Sequence, residues 1–226
     1  MVERTLRSGL LSTTARPRED DILREKNPDN VVLILFDGMG SRILNRVLDG
    51  NSFLIKNRYK EITTVFPATT VAATTAIRTG LNPVESGMLG WTMYYSKLDK
   101  TITTFFGYEK GDKEEKILQD AVKYRKENMR EKTIVEQINE KNIFKAYELM
   151  PFGENPYNDI EDMFSQIENI CKQEGRKYIY AYDVEPDSSM HQTGSDSDIV
   201  KELIRKRNDA VEKLYNNLKG TNTVIF

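Results

Sequence analysis

Val31-Val32-Leu33-Ile34-Leu35-Phe36 is an unbroken apolar run, the pattern of a strand buried on both faces of a parallel sheet. Asp37-Gly38 ends it, and Ile43, Leu44, Val47 and Leu48 then recur at helical spacing as far as Asp49-Gly50. Ile62 to Phe66 is β-prone and stops at Pro67. The Thr70 to Thr79 stretch behind it has a helical tail, with Gly80 placed to close it. Met93-Tyr94-Tyr95 and Ile102 to Phe106 flank Lys97-Leu98-Asp99-Lys100, which predicts a hairpin or small insertion within 91–130. Lys113 to Arg130 reads as a charged helix or loop.

Regular alternation returns beyond it. Thr133 and Glu136 have capping-box spacing ahead of Ile134, Val135 and Ile138. Ile143 to Leu149 reads as a strand, and Ile160, Met163, Phe164, Ile167, Ile170 and Cys171 form one apolar helical stripe. Lys177 to Tyr182 is another strand. Ser195 or Ser197 caps a long helix carrying Ile199, Val200, Leu203, Ile204, Val211, Leu214 and Leu218, with Gly220 as its stop. Thr223 to Phe226 begins a further strand. Strands alternating with helices in this order predict an α/β fold with a mostly parallel sheet.

Composition narrows the partners more than the fold. Hydrophobic residues make up 38% and charged residues 30%, the balance of a soluble globular protein with one good core. A formal net charge of -2 supplies no basic field, so no nucleic-acid surface is expected. The Lys/Arg-rich stretches from Lys110 to Lys132 and Lys201 to Lys213 are interleaved with acids and read as solvated helix faces. No run approaches the ~20 apolar residues that cross a bilayer, and the N-terminus lacks a signal-peptide core. Cys171 alone cannot form an internal disulfide, which suits a reducing compartment, so the cytoplasm is the expected location. No feature of the sequence specifies an oligomeric state.

Ligands of open α/β sheets bind beyond the C-terminal ends of the strands. Three expected strands end in reactive residues: Asp37, then Thr69-Thr70, then Asp187 with His191. Asp37 is either a hard ligand for a divalent metal or a helix cap after a tight turn. A second Asp two residues on would suggest a haloacid dehalogenase, but Met39 stands there. Thr69 and Thr70 would present a hydroxyl at a helix N-terminus, where the dipole favours phosphate and alkoxide; ordinary capping is the plainer alternative. Asp187 and His191, four residues apart, would share one helix face, either as a metal-binding pair or, for this only histidine of the chain, in a structural role. Cys171 lies on an apolar stripe and reads as core. It lacks the Cys-x-Pro-x-Arg surroundings of a sulfatase.

VVLILFDGMG (31 to 40), TTVFPATTVAATTAIRTGLNPVESGMLGW (63 to 91) and YIYAYDVEPDSSMHQTG (178 to 194) together resemble the type I phosphodiesterase/nucleotide pyrophosphatase family of the alkaline phosphatase superfamily. The second segment is the most specific: Phe-Pro, a Thr three residues after that Pro, then Thr-Gly-Leu and Pro-x-x-x-Gly. The resemblance implies one alkaline phosphatase-like catalytic domain over 1–226, a sandwich of helices about a mostly parallel central sheet, with a small insertion at 91–130. It implies Thr70 as nucleophile, bound with Asp37 to one metal, and Asp187 and His191 as ligands of a second. The implied cofactors are two divalent ions, zinc first, with manganese or magnesium as alternatives. The implied substrate is a small phosphate diester or monoester, attacked in line through a phosphothreonine-type intermediate.

Two departures accompany the likeness. Nucleotide-cleaving members carry an Asn shortly after Pro-x-x-x-Gly, where this chain reads Met88-Leu89-Gly90-Trp91-Thr92. The family also supplies an Asp-His pair after the next strand and a later His. Zinc sites want about three or four protein ligands each, and four candidates with one imidazole do not fill two of them. The expectation is therefore a catalytic domain whose C-terminal part is absent, with little activity alone. A phosphomutase-like or phosphonate-cleaving relative, or a non-catalytic binding protein, are the alternatives.

Overall fold

The computed structural model describes residues 19–153 and 155–226. The elements run α1 (Glu19–Lys26), β1 (Asn30–Phe36), α2 (Ser41–Val47), α3 (Phe53–Lys56), α4 (Thr70–Thr79) and α5 (Pro83–Ser86). Then come β2 (Thr92–Tyr95), β3 (Lys100–Thr103), β4 (Tyr108–Glu109), α6 (Gln119–Asn128) and α7 (Ile134–Lys141). The last are β5 (Lys145–Leu149), α8 (Ile160–Cys171), β6 (Lys177–Asp183), α9 (Asp187–Thr193), α10 (Asp198–Asn217) and β7 (Thr223–Ile225). The chain divides into two compact units, one holding Glu25–Glu61 and Ile138–Phe226, the other Ile62–Gln137 and the described residues up to Arg24.

The first unit is built on a parallel sheet in the order β5-β6-β1-β7. Its two central strands are the most apolar ones, as a sheet covered on both faces requires. In β6 every residue from Lys177 to Asp183 is buried. Even the Lys177 ammonium is accommodated, donating to the carbonyls of Gln173 and Gly175. The α8 stripe packs as its spacing predicts: Met163, Phe164, Ile167, Ile170 and Cys171 meet Val32, Ile179 and Ala181 of the sheet and Val211, Leu214 and Leu218 at the end of α10. Each large apolar side chain so buried is worth about 1.5–3 kcal/mol as an upper figure. A second cluster joins Ile43 and Leu48, around α2, to Val200 and Ile204 of α10.

Local chemistry sets the element ends. Ser197, not Ser195, caps α10, accepting from the Val200 amide at 3.3 Å. Thr133 and Glu136 form the expected reciprocal cap of α7, at 2.6 and 3.1 Å. On β5, at the sheet's edge, the Asn139 carboxamide binds both the N–H and the C=O of Ala146, each at 2.9 Å. Lys145 rather than Ile143 begins that strand, and Ile143 stays exposed.

The second unit carries the antiparallel sheet β2-β3-β4. The hairpin expected within 91–130 is its first pair, Thr92 opposite Thr103 and Tyr95 opposite Lys100. Tyr95 is buried and stacks on Tyr124 of α6 with ring centroids 4.5 Å apart. The charged stretch of 113–130 is helical only over Gln119–Asn128. Arg125 on that helix ties the carbonyls of Thr104 and Phe105 and pairs with Glu131.

One expected strand is absent. Ile62 to Phe66 joins neither ladder, so the second of the three strands thought to end in reactive residues is an irregular segment. β-propensity measures fit to a half-buried pleated surface. That surface is missing here, because Ile62 and Phe66 are 56% and 92% exposed.

Asp183, the last residue of β6, forms a buried ion pair with Arg207 of α10, whose Nε and Nη2 lie 2.9 and 2.7 Å from Oδ2. Burial pushes the Asp183 carboxyl up and the guanidinium pulls it back down. Truncating one member of such a pair strands the other without compensation. Arg207→Leu is expected to cost about 3–5 kcal/mol in urea unfolding; a loss below about 1 kcal/mol would show the pair to be dispensable.

Candidate active site

The register of β1 on β6 determines which groups meet at the C-terminal edge of the sheet. Phe36 lies opposite Asp183, so Asp37 is the first residue past the ladder and its amide still donates to the Asp183 carbonyl at 2.9 Å. The Asp37 carbonyl accepts from the amide of Asp187, the first residue of α9, at 3.2 Å. Strand end and helix start are therefore stitched through one residue. The Asp37 carboxylate is held as well, its Oδ2 accepting from the Tyr182 phenol at 2.7 Å. Burial first, then this bond and the Asp37 charge, push the Tyr182 hydroxyl far above its usual range, so it stays a donor.

Gly38 makes the stitch feasible. Its φ is +71°, and a Cβ there would lie 3.0 Å from Asp187 Cβ, 3.1 Å from Asp187 Cα and still closer to the Met190 methyl. Only glycine suits both the left-handed backbone and that approach. On α9, Asp187 and His191 share a face as their spacing predicts, with His191 Nε2 3.3 Å from Asp187 Oδ2. The imidazole is 80% exposed. Glu185 holds the same helix start by accepting from the Ser189 amide at 3.0 Å.

Thr69 and Thr70 belong to the other unit. Their roles separate. Thr69 is the N-cap of α4, its hydroxyl accepting from the Ala72 amide at 3.3 Å. Thr70 is the first helical residue and half-buried, and its carbonyl accepts from the Thr74 hydroxyl at 2.7 Å. Gly80 closes the helix in the left-handed conformation, as read from the sequence. Trp91 stacks on Phe105 at 5.7 Å and meets Phe106 edge-on at 5.9 Å.

Carboxylates and an imidazole are the right donors for zinc or manganese, and the Asp187–His191 spacing suits two ligands of one ion. The number falls short. Among the described residues no three His, Cys, Asp or Glu side chains gather closely enough to hold a metal ion. The set fits in kind and is incomplete in count.

A family model described as type I phosphodiesterase / nucleotide pyrophosphatase matches residues 31–226. The chain belongs to that family. Among solved structures, the murine ectonucleotide pyrophosphatase / phosphodiesterase 5 superposes with a TM-score of 0.65 at 21% identity, over 86% of this chain and 55% of that one. An inactive form of the murine protein, in complex with AMP, gives 0.62 at 19% identity, and the human protein 0.61 at 20%, with the same coverage of both chains. At these identities the likeness establishes the α/β fold with its parallel sheet and flanking helices. The chain spans about half the length of these relatives. No curated protein matches it significantly in sequence.

Tyr182 was the residue that motif reading passed over. Within a fully buried strand a tyrosine hydroxyl needs a partner, and that requirement was the available signal. Gly38 supplies the testable contact. Gly38→Ala is expected to cost about 1–3 kcal/mol from its backbone alone. The contact with α9 adds to that cost, so a melting temperature equal to wild type would refute the close approach.

Proposed function

We propose that the protein is a metal-dependent phosphodiesterase or phosphomonoesterase that uses Thr70 as its nucleophile. The observation that carries this reading is the division of labour at the start of α4. Thr69 is committed to capping, which leaves the Thr70 hydroxyl at the positive end of a ten-residue helix. Family membership supports the hydrolase class, and the order of the three motifs supports the residue roles.

In this reading the Thr70 oxygen attacks phosphorus in line and the ester oxygen opposite it departs with the bonding pair. The nucleophile's proton is lost to solvent and the leaving alkoxide gains one. Water then cleaves the phosphothreonine and restores Thr70. The helix dipole favours the negative charge that develops on the threonine oxygen. Asp37, Asp187 and His191 are the metal ligands of the proposal, completed by donors beyond these three because their number is too small. Two divalent ions, zinc foremost and manganese or magnesium otherwise, would supply Lewis acidity and lower the pKa of the attacking group. The substrate is a small phosphate ester. A cytoplasmic location belongs to the same proposal and is supported by the single cysteine, which cannot form an internal disulfide. Among the described residues no helix is long and apolar enough to cross a membrane.

The test is hydrolysis of bis-p-nitrophenyl phosphate, with zinc or manganese added, by the protein at its full natural length. Thr70→Ala should bring turnover down to the rate without protein while retaining the fold. Thr69→Ala should keep most of the turnover and lose about 1 kcal/mol of stability with its cap. Activity surviving in Thr70→Ala, and failing in Thr69→Ala, would move the nucleophile by one residue.

A further inference from the structure

We infer that Trp91 is a stacking platform for a flat aromatic ring, the organic group of the phosphate ester proposed above. The inference rests on that reading and deepens it by naming the class of ester. Three observations carry it. Trp91, the only tryptophan of the chain, keeps 43% of its surface exposed. One side of its indole is backed by Phe105, tilted by only 15°, and Phe106 meets it edge-on at 83°. The platform is also firmly seated. The Trp91 carbonyl accepts from the Thr104 amide at 2.8 Å, and Arg125 Nη1 holds the carbonyls of Thr104 and Phe105 at 2.7 and 3.3 Å.

Trp91 stands in the same unit as Thr70. Within that unit α5 packs against α4, and Trp91 follows Gly87, the C-cap of α5, by four residues. The nucleophile of the proposal and the exposed indole thus belong to one folded body. A lone apolar side chain on a surface needs no ligand. This indole differs, because it is backed on one face, edged by a second ring and fixed at its backbone. Its other face is presented with little conformational freedom left to lose on binding. Ring quadrupoles favour the offset stacking of a second flat ring there. Removing such a stacking side chain weakens binding about 5- to 100-fold. The plainer alternative is that these rings only pack the loop after β3, and then the indole takes no notice of added aromatic solutes.

The experiment follows the single indole N–H resonance of the whole chain while adenosine, phenol, ribose or choline is added at millimolar concentration. Adenosine or phenol should shift it saturably, and the shift should persist in Thr70→Ala, since stacking needs no nucleophile. A response to adenosine alone assigns a nucleobase, a response to phenol alone a simple aryl group, and a response to both any flat ring. In the protein at its full natural length, Trp91→Ala should lower kcat/KM for bis-p-nitrophenyl phosphate about 10-fold, mainly through KM. Trp91→Phe should restore most of that loss. An indole that responds to neither aromatic, or equally to ribose or choline, overturns the platform, as does a wild-type KM in Trp91→Ala. If the aromatic solutes shift the indole and wild type hydrolyses no ester, the binding site stands and the functional reading fails.

Discussion

The hydrogen bonds through Asp37 hold the C-terminal edge of the sheet together. Its amide extends the β1–β6 ladder by one step, its carbonyl receives the first turn of α9, and its carboxylate takes the Tyr182 phenol. An acidic residue at a strand end is commonplace. Here it also determines where α9 begins, and therefore where Asp187 and His191 stand. The Asp183–Arg207 pair braces the neighbouring strand end from within the core. A buried ion pair contributes little net stability, although removing one partner strands the other.

Much of this architecture was legible from periodicity. The continuous apolar runs of β1 and β6 and the 3.6-residue stripes of α8 and α10 report burial directly, and burial is what a hydrophobic pattern encodes. Capping spacing located the start of α7 and, within two residues, that of α10. Ile62 to Phe66 failed for a physical reason: its composition suits a strand, but a strand exists only where a partner edge receives it, and composition carries no information about partners. The charged stretch at 113–130 has too few apolar positions for its ends to be read, and only ten of its residues are helical.

The candidate residues were legible to a different depth. The i and i+4 spacing of Asp187 and His191 was enough to bring their side chains together. Distinguishing Thr69 from Thr70 needed the helix start to be fixed to a single residue, which local sequence rarely does. Tyr182 was hidden because it sits in a strand where every residue is buried, and its partner lies 145 residues away. Contacts at that separation leave no local trace.

The carboxamide of Asn139 has an effect beyond its own helix. It satisfies both main-chain groups of Ala146 that face away from the sheet, taking the place a further strand would occupy. Exposed strand edges are templates for pairing between molecules. At Ala146 an incoming extended chain meets a side chain already in the ladder, and it must displace two hydrogen bonds before making any. A single amide thus acts as a molecular doorstop against β-aggregation on that side, with no charge and no proline spent on the task.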